Sequence, residues 1–318
     1  YADQKTGIIT NYPGIEWCSA GFDPRFRPWY VTSASGTKNL VIILDSSGSM
    51  IDNNRIDLVK EAAINVIETL SENDYASVVF YESSAWSSGP LVPMNQENKE
   101  ILRQFILSSF PGGTTNFEAG FTEAFDILEE SRAFGQISQC KSIFLFLTDG
   151  KITAGKKGGE LLQMLEENNY EDLDVRIFTY AIGSDSESGL LKDISCKFKG
   201  IHYDIEDDDQ SLKDIKASYY VYFANTLSDS DIVRWTFYED SVTGVELISG
   251  CLAAYDRTQN YDYLFGVICI DINVIVDVNE LKNFDDWPAI RNSMLEENRK
   301  CVEFVDDPGH IEYLRLRE

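Results

Sequence analysis

Three oxygen-bearing side chains at alternate positions follow one apolar run of the chain. In NLVIILDSSGSM (39–50), the run 40–44 leads directly into Asp45, Ser47 and Ser49. The run is short and mostly β-branched, which predicts a buried strand. Because the chain turns outward at the carboxyl end of such a strand, one carboxylate and two hydroxyls can point to one place, and such oxygens suit a hard divalent cation. The stretch is interpreted as part of a metal site.

Two further stretches carry oxygen donors where predicted strands end or helices begin. FLFLTDG (144–150) places Asp149 at a strand end, and GGTTN (112–116) opens a helix with Thr115. Ligands of open α/β sheets bind outside the carboxyl ends of the strands, so the three stretches are expected to meet there. Two charged and three neutral donors would leave a coordination position for water or for a partner's carboxylate. The predicted metal ligands are Asp45, Ser47, Ser49, Thr115 and Asp149.

The elements that must position these residues follow a regular pattern between residues 39 and 225. Apolar runs alternate there with amphipathic stretches, which predicts a doubly wound α/β domain with a mostly parallel sheet. Strands are predicted at 40–44, 76–81, 142–147, 175–182 and, more weakly, 201–205. Helical spacing of apolar residues predicts helices at 55–70, 97–110, 117–134, 159–168 and 212–224.

The segments on either side have a different pattern. After residue 225, three strand-length segments separated by turn residues predict an antiparallel meander, at 231–238, 245–255 and 261–271. The polar stretch 279–298 has helical parts, and 302–316 is interpreted as a hairpin around Asp-Asp-Pro-Gly. Residues 1–38 are rich in turn formers and aromatics but lack periodicity, so they are expected to be ordered only with the help of another segment.

Composition narrows the possible partners and compartments. Asp and Glu outnumber Lys and Arg by 53 to 27 and give a formal charge of −26, so nucleic acid and anionic membrane surfaces would be repelled. No window reaches the roughly 18 apolar residues of a membrane span, and no signal-peptide pattern opens the chain. Six cysteines without a C-x-x-C pair leave disulfides and buried thiols as alternatives, Cys269 in an apolar run among them.

Catalytic patterns are weak, so no enzymatic activity is predicted. His202 and His310 lie in separate segments, and neither H-E-x-x-H nor G-x-S-x-G occurs. GKITAGKK (150–157) follows a predicted strand and is close to a phosphate-binding loop, but Lys157 stands where a Ser or Thr is required.

The three donor stretches together resemble a family. Residues 39–225 look like a von Willebrand factor type A domain with a complete metal-ion-dependent adhesion site. The resemblance implies that Mg²⁺ or Ca²⁺ is bound directly by Ser47, Ser49 and Thr115, whereas Asp45 and Asp149 act largely through water. Thr115 is preferred to the adjacent Thr114 because the family commonly has Thr followed by Asn or Asp.

The flanks resemble a narrower group. FDPRFRPWYVTSASG, ISCKFKGIHYDI, VRWTFYEDSVTG and LFGVICIDI are similar to segments of the alpha-2-delta auxiliary subunits of voltage-gated calcium channels, which combine a type A domain with Cache domains. The resemblance implies an α+β Cache domain, related to PAS domains, made of 1–38 and 226–280, with the type A domain inserted. Residues 281–318 would start a second Cache domain or form a connecting segment. An extracellular or cell-surface location is implied, with any membrane anchor outside these residues, and Cys140 and Cys196 are expected in disulfides.

A second candidate site lies in the Cache-like part. Arg27, Trp29, Tyr30 and Asp271 resemble the amino-acid-binding signature of double Cache sensors, although Phe22 stands where a Tyr is usual. An Arg would hold a ligand carboxylate and an Asp its ammonium, with aromatic rings around both. The alternative is that Trp29 and Tyr30 belong to the core and Arg27 braces the domain junction.

These inferences lead to one function and two alternatives. The chain is predicted to be an extracellular, non-enzymatic module that binds a protein partner through a divalent cation, the partner supplying an acidic residue. A channel subunit or another surface protein would be such a partner. The alternatives are a sensor of an amino acid or small amine, and a structural component of a surface assembly.

Overall fold

A computed structural model describes residues 2–3, 8–9, 23, 25, 27–169, 173–183, 188–205, 232–239, 246–256, 263–273, 283 and 285–301 of the 318-residue chain. The chain forms two compact units. One is an α/β unit of Lys38–Glu68 and Asp74–Lys216; the other comprises Tyr1–Thr37, Thr69–Asn73 and Ala217–Glu318. The predicted helix at 212–224 and hairpin at 302–316, together with Phe22, Cys18 and His310, lie outside the described residues.

Strands and helices in the described residues are labelled in chain order. The strands are β1 Ala2–Asp3, β2 Asn39–Asp45, β3 Tyr75–Tyr81, β4 Ala85–Ser87, β5 Val92–Pro93, β6 Ser142–Thr148, β7 Arg176–Ile182, β8 His202–Ile205, β9 Arg234–Glu239, β10 Glu246–Asp256 and β11 Tyr263–Asn273. The helices are α1 Pro28–Ser35, α2 Arg55–Thr69, α3 Gln96–Ser108, α4 Phe117–Ala133, α5 Gly158–Asn168, α6 Ser188–Lys197 and α7 Trp287–Asn298. A 3₁₀ helix, Gly48–Asn54, connects β2 to α2. None of the described helices is long and apolar enough to cross a membrane.

The α/β unit is built on one sheet of order β4-β3-β2-β6-β7-β8, with β5 also on β3. The five longer strands are parallel, and only the short β4 and β5 run antiparallel to their neighbour. Leu44 pairs with Phe80 on one side and with Leu147 on the other, so the carboxyl ends of three central strands lie level with one another. Side chains that follow these strands therefore share one edge of the sheet.

Helices α4, α5 and α6 cover one face of this sheet. Alternate residues of the central strands, such as Val41 and Phe146, share a buried apolar cluster with residues of these helices. Phe146 is stacked between Phe121, with ring centroids 4.5 Å apart, and Tyr81, at 5.3 Å. Gly120 permits this packing, because a Cβ there would lie 2.8 Å from the Tyr81 ring. The core thus reaches the carboxyl edge and fixes Tyr81 there.

The second unit contains an antiparallel sheet of order β1-β11-β10-β9. Cys251 and Cys269 are directly opposite one another on β10 and β11 and form a disulfide. The side chain of Arg234 on β9 donates to the backbone oxygen of Asn298, at 2.5 Å, and so holds the end of α7. Cys140 in the α/β unit is disulfide-bonded as expected, and so is Cys301 in the second unit. The expectation of a disulfide at Cys196 was wrong, because this residue is an exposed thiol.

The predicted α/β architecture and the antiparallel meander are confirmed. The five predicted parallel strands and the helices that begin at 55, 96, 117 and 158 are observed with ends shifted by no more than two residues. Two helices were not predicted. Helix α1 is buried at every position from Trp29 to Ser35 and so shows no amphipathic period, and α6 is only 10 residues long. The short antiparallel β4 and β5 were also missed because three- and two-residue strands have no measurable alternation.

Candidate metal-binding site

The loop after β2 is held at the carboxyl edge by backbone hydrogen bonds. Ser46 N donates to Tyr81 O at 2.9 Å, which keeps the loop beside the end of β3. The loop before α4 joins it, because Gly112 N donates to Ser46 O at 2.7 Å and Gly48 N donates to Gly113 O at 3.3 Å. Backbone hydrogen bonds alone therefore join two of the three predicted donor stretches.

Side-chain oxygens from two of the stretches lie within hydrogen-bonding distance of one another, and the Thr115 hydroxyl lies close by. The hydroxyls of Ser47 and Ser49 are 3.1 Å apart, and Ser49 Oγ donates to Asp149 Oδ1 at 2.8 Å. A Cβ placed on Gly150 would lie 3.4 Å from Thr115 Oγ1 and 3.5 Å from Ser49 Oγ, so the Thr115 hydroxyl faces the same space. The fold brings the predicted donors together.

Thr115, and not Thr114, faces this cluster. Thr115 is buried, its N–H donates to Thr153 Oγ1 at 2.8 Å, and its carbonyl accepts from Thr153 N at 3.0 Å. Thr114 is exposed and donates to Ser83 Oγ. The loop that resembled a phosphate-binding loop therefore packs on Thr115 instead, and Lys156 forms an ion pair with Glu118.

Asp45 lies at the bottom of the cluster with no exposed surface. One carboxylate oxygen accepts from Thr148 Oγ1 at 2.6 Å and from Tyr81 OH at 3.2 Å, and the other accepts from Ser47 N at 2.8 Å. Burial raises the pKa of Asp45 to about 6, although the hydrogen bonds from Ser47 and Thr148 oppose this shift. Thr148 and Tyr81 were not predicted as site residues; their positions at the ends of β6 and β3 were the available signal.

Arg55 is the other site residue that the sequence reasoning missed. Its Nη1 donates to Asp149 Oδ2 at 3.0 Å, and both side chains are buried. It is the first residue of α2, where the helix dipole disfavours a cation. A basic residue that opens a helix is therefore unusual, although the sequence does not indicate which carboxylate it contacts.

The donor set fits a hard divalent cation. Around Mg²⁺, with ligands at about 2.1 Å, adjacent octahedral oxygens are about 3.0 Å apart. The 3.1 Å between the Ser47 and Ser49 hydroxyls has this spacing. Among the described residues no three His, Cys, Asp or Glu side chains cluster as metal ligands, so hydroxyls make up most of the donors, and these suit Mg²⁺ or Ca²⁺ better than zinc.

The residues of the second predicted site differ in burial. Trp29 and Tyr30 are buried, and their ring centroids are 5.8 Å apart. Arg27 is the N-cap residue of α1, and Asp271 is an exposed residue of β11 that accepts a hydrogen bond from Ser249 Oγ. Burial of both aromatic rings is what a core role requires, and the ligand pocket stays a prediction.

The fold and this cluster define a class: α/β domains that gather oxygen donors from three loops at the carboxyl edge of a parallel sheet. The chain belongs to the von Willebrand factor type A domain family, whose model matches residues 39–218. A von Willebrand factor type A structure from Catenulispora acidiphila has the same fold, with a TM-score of 0.52 and 18% identity over 75% of this chain and 58% of that one.

Similar proteins also include channel subunits. The voltage-dependent calcium channel subunit alpha-2/delta-2 of Mus musculus is 28% identical in an alignment of 289 positions that covers 84% of this chain and 24% of the relative. The human subunit alpha-2/delta-3 is 30% identical in an alignment of 211 positions that covers 63% of this chain and 19% of the relative. The chain thus spans about a quarter or less of the length of these relatives.

Proposed function

We propose that this chain is an extracellular, non-enzymatic module that binds a protein partner through a divalent cation, as an auxiliary or adhesion subunit similar to the alpha-2/delta channel subunits. Ser47, Ser49 and Thr115 would hold Mg²⁺ or Ca²⁺ directly, and Asp45 and Asp149 would hold its water. The cation would offer one coordination position to an acidic residue of the partner.

The observation that carries this proposal is the convergence of donors from three separate loops. Ser47 and Ser49 follow β2, Asp149 follows β6, and Thr115 precedes α4. Buried oxygens at contact distance repel one another unless hydrogen bonds or a cation compensate them. Asp45 is compensated only in part, since the groups that donate to it in the described structure are neutral.

Two further observations support the location and the domain arrangement. The Cys251–Cys269 disulfide fits an oxidising, extracellular compartment. The second unit takes its residues from both sides of the α/β unit, as an inserted domain requires. We therefore propose that 39–225 is inserted in a Cache-like domain of 1–38 and 226–280, with 281–318 beginning a further segment. The sensor alternative gains no support from the buried Trp29 and Tyr30.

Cation binding tests the proposal directly. Chelator-treated protein should bind Mg²⁺ or Ca²⁺ with one site in isothermal titration calorimetry, and Asp45→Ala should abolish that heat. Asp52→Ala is the matched control, because it removes a carboxylate from the connecting 3₁₀ helix at an exposed position.

Partner binding is the second measurement. Capture of cell-surface proteins by the immobilised chain should need the cation and should be lost with chelator and with Asp45→Ala. Capture that survives both treatments would reject engagement through the cation, even if the ion itself binds.

A further inference from the structure

We propose that Arg55 sets the charge of the metal site so that the cation-loaded site attracts one carboxylate, which makes it a specificity-determining residue. The inference rests on the proposed function, because it concerns the same five donors. It gives a reason why the loaded site would prefer an acidic partner, which the five donors alone do not explain.

The contacts of Asp149 are divided between its two oxygens. Oδ2 accepts from Arg55 Nη1 at 3.0 Å, and Oδ1 accepts from Ser49 Oγ at 2.8 Å. The guanidinium therefore binds the side of Asp149 that faces away from the serine hydroxyls. Since both side chains are buried, their charges are poorly screened by water and salt.

The fold makes room for Arg55 in spite of its unfavourable position. A cation at the first residue of a helix opposes the helix dipole. The guanidinium lies against Gly183, which follows β7 with a φ of 79°. A Cβ on Gly183 would lie 2.3 Å from Arg55 Nη2 and would displace the guanidinium from this position. Arg55 at the start of α2 is thus held between Asp149, which follows β6, and Gly183, which follows β7.

Charge counting gives the consequence. Asp45 and Asp149 carry two negative charges and Arg55 one positive charge, so these three side chains sum to −1. A bound divalent cation changes the sum to +1, which a single carboxylate neutralises. Without Arg55 the loaded site would sum to zero. Arg55 should therefore weaken binding of the cation and strengthen capture of a carboxylate by the bound cation.

The test measures these two affinities separately on the full chain. Titration calorimetry gives the Mg²⁺ affinity. For the carboxylate, the protein is loaded with Mn²⁺, which speeds relaxation of water protons, and acetate is added to displace the bound water. In Arg55→Gln, we expect Mg²⁺ to bind about tenfold more tightly and the acetate midpoint to rise about tenfold. Lys151→Gln, which removes an exposed charge two residues after Asp149, should leave both values unchanged.

Two more variants separate charge from geometry. Arg55→Lys keeps the charge without the planar fork, and should stay within about threefold of the wild type in both measurements. Arg55→Gln combined with Asp149→Asn restores the wild-type charge sum, and should return the acetate midpoint to near the wild-type value. This amide pair can keep a hydrogen bond, so it also serves if Arg55→Gln alone does not fold.

The possible results distinguish the two proposals. Opposite shifts in Arg55→Gln, with recovery in the double variant, support the inference. Shifts in the same direction, no shift, or a loss in Arg55→Lys equal to that in Arg55→Gln would overturn it while leaving cation binding intact. A wild-type chain that binds no divalent cation rejects the proposed function itself.

Discussion

Two buried ion pairs lie at opposite edges of the same parallel sheet, and they are balanced differently. At the amino edge, Lys38 precedes β2 and Asp74 precedes β3, and both the backbone N and Nζ of Lys38 donate to Asp74 Oδ1, at 3.1 and 3.2 Å. At the carboxyl edge, Arg55 pairs with Asp149, but Asp45 is bonded by neutral donors.

The difference separates a structural pair from a site that is ready for a ligand. The Lys38 ammonium and the Asp74 carboxylate form a direct pair in a nearly dry environment, and the buried Lys99 ammonium also interacts favourably with Asp74. At the carboxyl edge, the described side chains of Asp45, Asp149 and Arg55 sum to one negative charge. A buried charge of this kind is the usual mark of a functional position.

Breaking the balanced pair should have the largest effect on stability. Asp74→Ala would leave the Lys38 ammonium buried without its carboxylate, and we expect a loss of about 3–5 kcal/mol in the free energy of unfolding. Urea unfolding in chelator measures it. The stabilisation that Mg²⁺ adds should be unchanged, because the pair lies at the other edge of the sheet. A loss below about 1 kcal/mol would mean that water reaches this pair. Adding Lys38→Met should recover part of the loss.

Removing the unbalanced charge should have the opposite sign. With chelator at pH 7.5, Asp45→Asn should raise the free energy of unfolding by about 1–3 kcal/mol. Burial raises the pKa of Asp45 to about 6, so the ionised carboxylate that the wild type carries at this pH destabilises the folded state, and the neutral amide does not. The hydroxyls of Thr148 and Tyr81 can rotate to accept from the amide. With Mg²⁺ the order should reverse, because only the wild type gains binding energy. A variant less stable than the wild type under both conditions would contradict the comparison.

The same carboxyl should give a defined pH dependence. The pKa of Asp45 is raised from 3.8 to about 6 in the folded protein, so the folded state holds this proton more tightly than the unfolded chain does. In chelator, its contribution to stability should therefore fall as pH rises from about 4 to 6, and be constant above that range. The measurement is the stability difference between the wild type and Asp45→Asn across this range. In Mg²⁺, which competes with the proton, stabilisation by the cation should grow over the same range. A difference independent of pH would place the titration elsewhere.

Sequence patterns were sufficient for the sheet and the donors but not for the charge balance. Apolar runs identify strands because burial on both faces is a local property of the chain. Asp45, Ser47 and Ser49 could be found because one strand end carries all three. Thr115 required the resemblance to a family, since Thr114 beside it has the same chemistry.

Residues whose role depends on contacts distant in sequence could not be assigned. Arg55 and Asp149 are 94 positions apart, and a helix start gives no indication of which carboxylate an arginine will meet. Lys38 and Asp74 were missed for the same reason, because each follows a turn and precedes a strand as solvated residues commonly do. Helix α1 had no detectable pattern, because its burial at almost every position removes the period that identifies a helix.

The smallest predicted effects compare the two hydroxyls that bond Asp45. Thr148 Oγ1 donates at 2.6 Å and also accepts from Gly150 N at 3.2 Å, whereas Tyr81 OH donates to Asp45 at 3.2 Å. In chelator at pH 7.5, Thr148→Val should lower the free energy of unfolding by about 1.5–2 kcal/mol and Tyr81→Phe by about 0.5 kcal/mol. The phenylalanine ring keeps the packing on Phe146, so its variant reports the hydroxyl alone.

Acid should reduce both losses, whereas magnesium should leave the larger one in place. At pH 5, where Asp45 is largely protonated, both losses should shrink, because a neutral carboxyl gains less from a donor than an ionised one does. With Mg²⁺ at pH 7.5, the Thr148→Val loss should persist, since an ionised Asp45 at the cation still needs its shortest hydrogen bond. Equal losses for the two variants at every pH would show that the hydroxyls act through packing. The comparison between the two edges would then fail, because an ionised Asp45 would not depend on its hydrogen bonds.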